Sequence, residues 1–269
     1  MPSQTILSPA LDASLAATVP TVPDDARHGR DDRHWLLRFA RVWYRTHQLK
    51  VRRQRERLSD AQYYRMAFAF DHRAPGATGD KFASTRAAVT RGIGGDRRTA
   101  RVLDLGTGLG FQARSIWDAG YRHVYGCDLV PDRIALARTL HAETAIQFTI
   151  GDMQALGFPD RSLDAITISV ALHDLAAVGV EMVLAECERV LAPGGRLVVL
   201  EPRWQRDLAS PLHRWVYRNC GRLLDESIHM DDFLRFDLAG RLTRRGFTLL
   251  SRAVVWHSVL CLYTFEKAR

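Results

Sequence analysis

The chain has 269 residues, 46% of them apolar and 25% charged, a composition that excludes a wholly disordered, collagenous or membrane-spanning protein. Its net charge is +8, and a surplus of that size gathered on one face would suit a polyanion or an anionic membrane. It is not gathered: residues 30–60 carry a net +6 and residues 202–269 a net +5, whereas residues 101–201 carry −5.

In chain order, residues 1–29 are rich in Ser, Thr, Ala, Pro and Asp, lack a periodic apolar face, and read as a mobile tail. Residues 31–58 turn helical, with Trp35, Phe39, Val42 and Leu49 near one face and arginines over much of the rest. Ser59-Asp60-Ala61-Gln62 is a capping box that opens a second helix carrying Tyr63, Tyr64, Met66, Phe68 and Phe70. A break at residues 71–76 and a short helix over residues 81–90 precede a glycine-rich turn, Gly92-Ile93-Gly94-Gly95. Residues 30–95 are therefore expected to form a helical extension or lid, and residues 96–269 the main domain.

From residue 101 the pattern alternates. Apolar runs of strand character fall at 101–105, 123–127, 146–150, 163–169 and 196–200, and helical patterns at 112–119, 132–141 and 178–191 lie between them. Strand and helix in alternation predict a parallel sheet covered on both faces. Residues 231–245 read as a helix stopped by Gly246, and 247–251 and 255–265 as two strands. Their short connection demands an antiparallel pair. Residues 202–230, with Trp204, His213, Trp215 and Tyr217, form an insert before that last unit. Cys127, Cys187, Cys220 and Cys261 are scattered without metal-ligand spacing. They read as small apolar residues of a reduced, cytoplasmic protein. No basic leader with an apolar core opens the chain and no run of about 18 apolar residues occurs, so no signal peptide or membrane span is expected.

The most informative segment is Val102-Leu103-Asp104-Leu105-Gly106-Thr107-Gly108-Leu109-Gly110. A strand runs into a glycine turn and then a helix, which lets a ligand approach the backbone closely. The spacing is GxGxG, and Asp104 sits on the strand two residues before the first glycine. A carboxylate there disfavours a pyrophosphate and favours a ligand that carries an amino group or other donors. Asp128, at the end of the next strand, can accept from two ribose hydroxyls, and Asp152, after the third, from an exocyclic amine. Each aspartate taken singly also fits a helix cap or a loop. Together, at the ends of three successive strands, they converge on one crevice and point to an adenosine-type ligand.

These residues resemble the class I S-adenosylmethionine-dependent methyltransferases, in the small-molecule branch that includes the ubiquinone and menaquinone methyltransferases. Residues 103–110 look like that family's first motif, Asp128 like its ribose-binding acid, and residues 151–164 like the segment whose aspartate meets adenine. Leu191-Ala192-Pro193-Gly194-Gly195-Arg196-Leu197 is similar to its turn into the fifth strand. The resemblance implies an α/β, Rossmann-like, doubly wound sheet of seven strands in the order 3-2-1-4-5-7-6, strand seven antiparallel. It also implies S-adenosylmethionine as cofactor and S-adenosylhomocysteine as product. Glu201-Pro202-Arg203 after the fifth strand does not resemble the Asp-Asn metal site of catechol-type methyltransferases, so no metal is expected. The cofactor set it suggests is Asp104, Gly106, Thr107, Gly108 and Gly110 from the first loop. Asp128 and Leu129, Asp152 and Met153, and Ser169 complete it.

Methyl transfer needs acceptor, methyl carbon and sulfur held nearly in line, and an acidic acceptor also needs a base. His173, in the loop after the fourth strand, is the first candidate, with Asp174 either orienting it or capping the next helix. His72, Tyr63 and Tyr64 are further candidates if the N-terminal helices close over the site, and His229 is a weaker one. The aromatic insert suits an apolar or aromatic small molecule with an oxygen or carbon nucleophile. A prenyl-quinone or lipid acceptor reached from a membrane surface stays open, as does nucleic acid, the less favoured partner. The helix of residues 31–58 could equally pair two subunits as a homodimer or pack on the core.

Overall fold

A computed structural model describes residues 82–202, 229–255 and 260–269. The tail, the helices expected between residues 30 and 70 and nearly all of the insert lie outside the described residues. The elements are α1 (Ala83–Ile93), β1 (Arg101–Leu105), α2 (Phe111–Asp118), β2 (His123–Asp128), α3 (Pro131–Leu140), β3 (Gln147–Ile150) and β4 (Leu163–Ser169). After a 3-10 turn at Leu172–Asp174 come α4 (Ala177–Val190), β5 (Leu191–Pro202), α5 (Met230–Phe233), α6 (Leu238–Arg244), β6 (Phe247–Val255) and β7 (Leu260–Lys267).

The strands form one seven-stranded sheet in the order β3-β2-β1-β4-β5-β7-β6. The β1–β5 pairings are parallel, and β7 is antiparallel to both β5 and β6. Side chains alternate across it. Leu103, Leu105, Ile166, Ile168, Leu197 and Val199 pack on one face with α4 and α6. Val102, Val124, Ala165, Val198 and Leu200 pack on the other with α1, α2 and α3. The central strands are buried on both faces, which is why they read as continuous apolar runs.

Four expectations change. Gly92 lies inside α1 and not in a turn. The helix comes so close to the sheet that a β-carbon at Gly92 would sit 2.9 Å from Thr264 Oγ1 and 3.1 Å from Val198. Strand β5 starts at Leu191, because Leu191 pairs with Leu163 across a register shift, so the Pro-Gly-Gly stretch lies within the strand. Residues 231–245 form two short helices rather than one. Asp237 caps the second by accepting from Gly240 N at 2.9 Å. Val255 pairs with Leu260 as the last residue of β6, so the hairpin turns later than expected.

Cys127, Cys187 and Cys261 are buried free thiols, and burial pushes Cys187 up to about 12. Among the described residues no helix is long and apolar enough to cross a membrane, and no group of three or more His, Cys, Asp or Glu could hold a metal ion.

Arg189, near the end of α4, ties down the loop after β3. It donates to Leu156 O and Phe158 O, both at 2.9 Å, and pairs with Glu186 at 2.8 Å and Asp160 at 2.7 Å. Glu186 in turn accepts from Leu156 N at 2.6 Å. Arg189→Met strips two carbonyls of their donors and should lower the unfolding free energy by about 1–3 kcal/mol. Urea denaturation with an unchanged midpoint would contradict this.

Candidate active site

The loop after β1 turns through Gly106 (φ 67°), Gly108 (φ 55°) and Gly110 (φ 80°), the left-handed region that disfavours a β-carbon. Two of these glycines are also required by space. A β-carbon on Gly106 would lie 2.8 Å from Ala171 Cβ, and one on Gly110 2.7 Å from the Phe148 ring and 2.9 Å from His141. At Gly108 nothing among the described residues lies within 4 Å, so the backbone there faces open space between them. Thr107 N donates to Cys127 O at 3.0 Å and Gly108 N to Asp128 Oδ2 at 2.9 Å, which fasten the loop to the end of β2. His141 Nε2 donates to Leu109 O at 2.9 Å. Burial holds the His141 ring below the usual histidine range, so it is neutral with its proton on Nε2.

Three aspartates stand at the strand ends, in three different environments. Asp104 is buried, and accepts from Thr107 Oγ1 at 2.6 Å and Thr167 Oγ1 at 2.7 Å. Burial pushes its carboxyl up to about 6, against the pull of those two hydroxyls and the Ala113 backbone and with a further push from the Asp128 charge. Its visible task is to brace the glycine loop against β4. Asp128 is also buried and takes Gly108 N on one oxygen and Val130 N, at 3.0 Å, on the other. Each carboxylate oxygen has a second lone pair to offer. Asp152, half-buried, closes a local turn by accepting from Gln154 N at 2.9 Å.

The loop leaving β4 holds the other half of the site. Ser169 Oγ is buried without a hydrogen-bond partner among the described residues. Val170 has φ 56°, a strained conformation for a β-branched residue, and it is 44% exposed. Glu201, at the end of β5 and 1% exposed, holds this loop in place. Its Oε1 accepts from Ala171 N at 2.8 Å and Leu172 N at 2.7 Å, and its Oε2 accepts from His173 Nδ1 at 2.9 Å. Phe233 packs its edge against the His173 ring at 6.4 Å.

The structure thus brings Gly106, Thr107, Gly108, Gly110, Asp128, Met153 and Ser169 to one edge of the sheet. Met153 Cε would lie 3.3 Å from a Gly106 β-carbon. Leu129 beside Asp128 is 65% exposed and offers an apolar surface. His173 is buried, and Asp174 lies 3.5 Å from its Nε2 with a side chain 63% exposed. Asp174 does not cap α4, whose N-cap is Ala176 with no side-chain bond. His229 is described, one residue before α5, whereas His72, Tyr63 and Tyr64 lie outside the described residues. Glu201 was visible in the sequence only as an acid ending an apolar strand, and spoke there only against a metal site. His141 and Gly126 carried no motif. A β-carbon at Gly126 would lie 2.6 Å from the Phe148 ring, so its absence lets the loop, β2 and β3 close up.

Residues 103–199 match the methyltransferase-domain family. They form a methyltransferase domain. The chain is 42% identical over 110 residues to the demethylmenaquinone methyltransferase of Thermus thermophilus, a match covering 39% of this chain and 49% of that protein. It is 37% identical over 114 residues to the ubiquinone/menaquinone biosynthesis C-methyltransferase UbiE of Bradyrhizobium diazoefficiens, covering 40% and 44%. The chain thus spans about half the length of these relatives. In fold it is similar to the PH0226 protein of Pyrococcus horikoshii, with a TM-score of 0.56 and 19% identity over 76% of this chain and 98% of that one. The site fits the cofactor on its own terms: an open backbone cradle at Gly108, buried acceptors at Asp128 and an unpartnered buried hydroxyl at Ser169.

Gly108 and Gly110 differ in what surrounds them. Gly108→Ala meets no neighbouring atom and should cost the fold only the left-handed strain of about 1–2 kcal/mol. It should nevertheless weaken S-adenosylmethionine binding by more than about tenfold, which is 1.4 kcal/mol. Gly110→Ala should instead lower the melting temperature sharply. Calorimetric binding by Gly108→Ala equal to wild type would remove the cradle assignment.

Asp104 makes stability depend on pH with a definite sign. Its folded pKa, about 6, lies above the ordinary value of 3.8, so between these values the native state binds the extra proton. Its contribution therefore weakens as pH rises through that window. Asp104→Asn lacks this slope. Relative to the variant, wild type should be more stable at about pH 4.5 than at about pH 7, measured by denaturation at both.

Proposed function

We propose that the protein transfers the methyl group of S-adenosylmethionine to a small apolar or aromatic acceptor with a carbon or oxygen nucleophile, a reduced prenyl quinone being the first class to test. The observation that carries this reading is the adjacency of the two halves of the site. Ala171, at the start of the His173 loop, would be 2.8 Å from a β-carbon on Gly106. The histidine loop therefore borders the cofactor loop directly. Quinone methyltransferases among the relatives favour a ring acceptor.

In this reading Gly106, Gly108 and Gly110 let the cofactor lie against backbone, and Asp128 accepts from ribose hydroxyls beside the exposed Leu129. Asp152 accepts from the adenine amine. The cofactor supplies an electrophilic methyl on a positively charged sulfur. The residues supply position, and the acidic domain, net −5 over residues 101–201, suits a cationic ligand. His173 removes the acceptor's proton and thereby raises the electron density of the nucleophile.

The full chain, given S-adenosylmethionine and a short-chain 2-prenyl-1,4-naphthoquinol, should yield S-adenosylhomocysteine and a singly methylated ring, both seen by mass spectrometry. Asp128→Ala should weaken cofactor binding by more than about tenfold, through loss of charge-assisted hydrogen bonds. His173→Ala should keep cofactor affinity within about threefold but slow transfer by about 10²–10⁴. Wild-type turnover in the histidine variant would sink its role as base.

A further inference from the structure

We infer that Glu201 is a positioning residue for the methyl transfer: it sets the tautomer and orientation of His173 and so makes Nε2 the proton-accepting nitrogen. This rests on the reading of His173 as the base. An ionised carboxylate only accepts hydrogen bonds. Oε2 of Glu201 lies 2.9 Å from Nδ1, so Nδ1 carries the proton, and in the neutral ring Nε2 carries the lone pair. A buried carboxylate behind a ring nitrogen also stabilises the imidazolium that forms when the opposite nitrogen takes a proton.

Two features of the structure argue for more than a passive brace. Glu201 spends both oxygens on one loop. Oε1 takes two consecutive backbone donors, Ala171 N and Leu172 N, and Oε2 takes the ring. The loop it holds starts with a left-handed Val170, a strain that persists only where the surroundings over-determine it. The charged groups facing the ring among the described residues are Glu201 from β5 and Asp174, whose Oδ1 is 3.5 Å from Nε2. Helix α5 brings the apolar edge of Phe233. The ring is thus flanked by one buried and one exposed carboxylate, both of which favour its charged form.

The step balances without a further reagent. The acceptor's O–H or C–H proton moves to Nε2. The electron pair it leaves forms the bond to the methyl carbon, and the methyl–sulfur bond breaks with its pair going to sulfur, which becomes a neutral thioether. Positive charge passes from sulfur to the imidazolium between Glu201 and Asp174, and the proton then leaves to solvent.

The test uses the full chain and three variants, Glu201→Gln, His173→Gln and the double variant. Glutamine keeps an oxygen for Ala171 N and Leu172 N, so folding and cofactor affinity should hold. In wild type with S-adenosylhomocysteine bound, nitrogen-15 NMR should show neutral His173 protonated on Nδ1. In Glu201→Gln its pKa should fall by about one unit or more. With the naphthoquinol, Glu201→Gln should lower kcat by at least about tenfold with little change in KM, and the acidic limb of the pH profile should move to lower pH. The double variant should be no slower than His173→Gln alone.

A neutral His173 protonated on Nε2, an unmoved pKa, or additive losses in the double variant would each overturn the inference. Wild-type protein that binds the cofactor but leaves the naphthoquinol unmethylated would instead overturn the acceptor reading, because the NMR result decides the role of Glu201 without any acceptor. If Glu201→Gln fails to fold, His173→Gln must still abolish the acidic limb, and a limb that survives in it counts against the inference.

Discussion

Asp104 reaches Thr107 and Thr167 at 2.6 Å and 2.7 Å from a position with almost no contact with solvent. Those two hydroxyls come from different places, the glycine loop and the adjacent strand β4. A carboxylate that donates nothing can draw both toward it, and so the loop after β1 is held at a fixed height above the sheet. Everything that follows along the loop depends on that height: the fastening of Thr107 and Gly108 to the end of β2, the approach of Ala171, and the open space above Gly108. Burial opposes the charge, which is why the group's pKa rises to about 6. The domain keeps a costly ionisable group where it joins the glycine loop to β4.

Glu201 repeats the device two strands away. It too is buried at the C-terminal end of a central strand and satisfies donors from a neighbouring loop. Parallel strands make this arrangement natural, because all their carboxyl ends open on the same side and their loops meet there. Asp104 braces the glycine loop and Glu201 the His173 loop, and β4 lies between the two strands in the sheet. The protein's charge fits this division. Its basic surplus lies in the flanking segments, while residues 101–201, which hold the acids, are net negative.

Much of this was legible in residues alone. The alternation of apolar runs with helical periods predicts the parallel sheet, since a strand buried on both faces has no polar alternation to lose. The GxGxG spacing predicts the turn because the three glycines take positive φ. Gly92 and the 231–245 stretch misled for one reason. A glycine in a turn and a glycine under a neighbouring strand look alike in sequence, and so do one helix and two helices joined by a cap. The place of Asp104 before the glycines is visible in the sequence, whereas its bond to Thr167, 63 residues away, is visible only in the fold.

The sequence by itself determined the sheet, its order through family resemblance, the glycine loop and the acids at the strand ends. These are local patterns, set by side-chain period and backbone conformation. Only the tertiary structure decided what the acids do. Glu201 and His173 are 28 residues apart, and their meeting depends on the register of β4 against β5 and on the left-handed turn at Val170. Hydrogen bonds between such distant groups are consequences of strand register and loop geometry, and neither is written in any one segment of the chain.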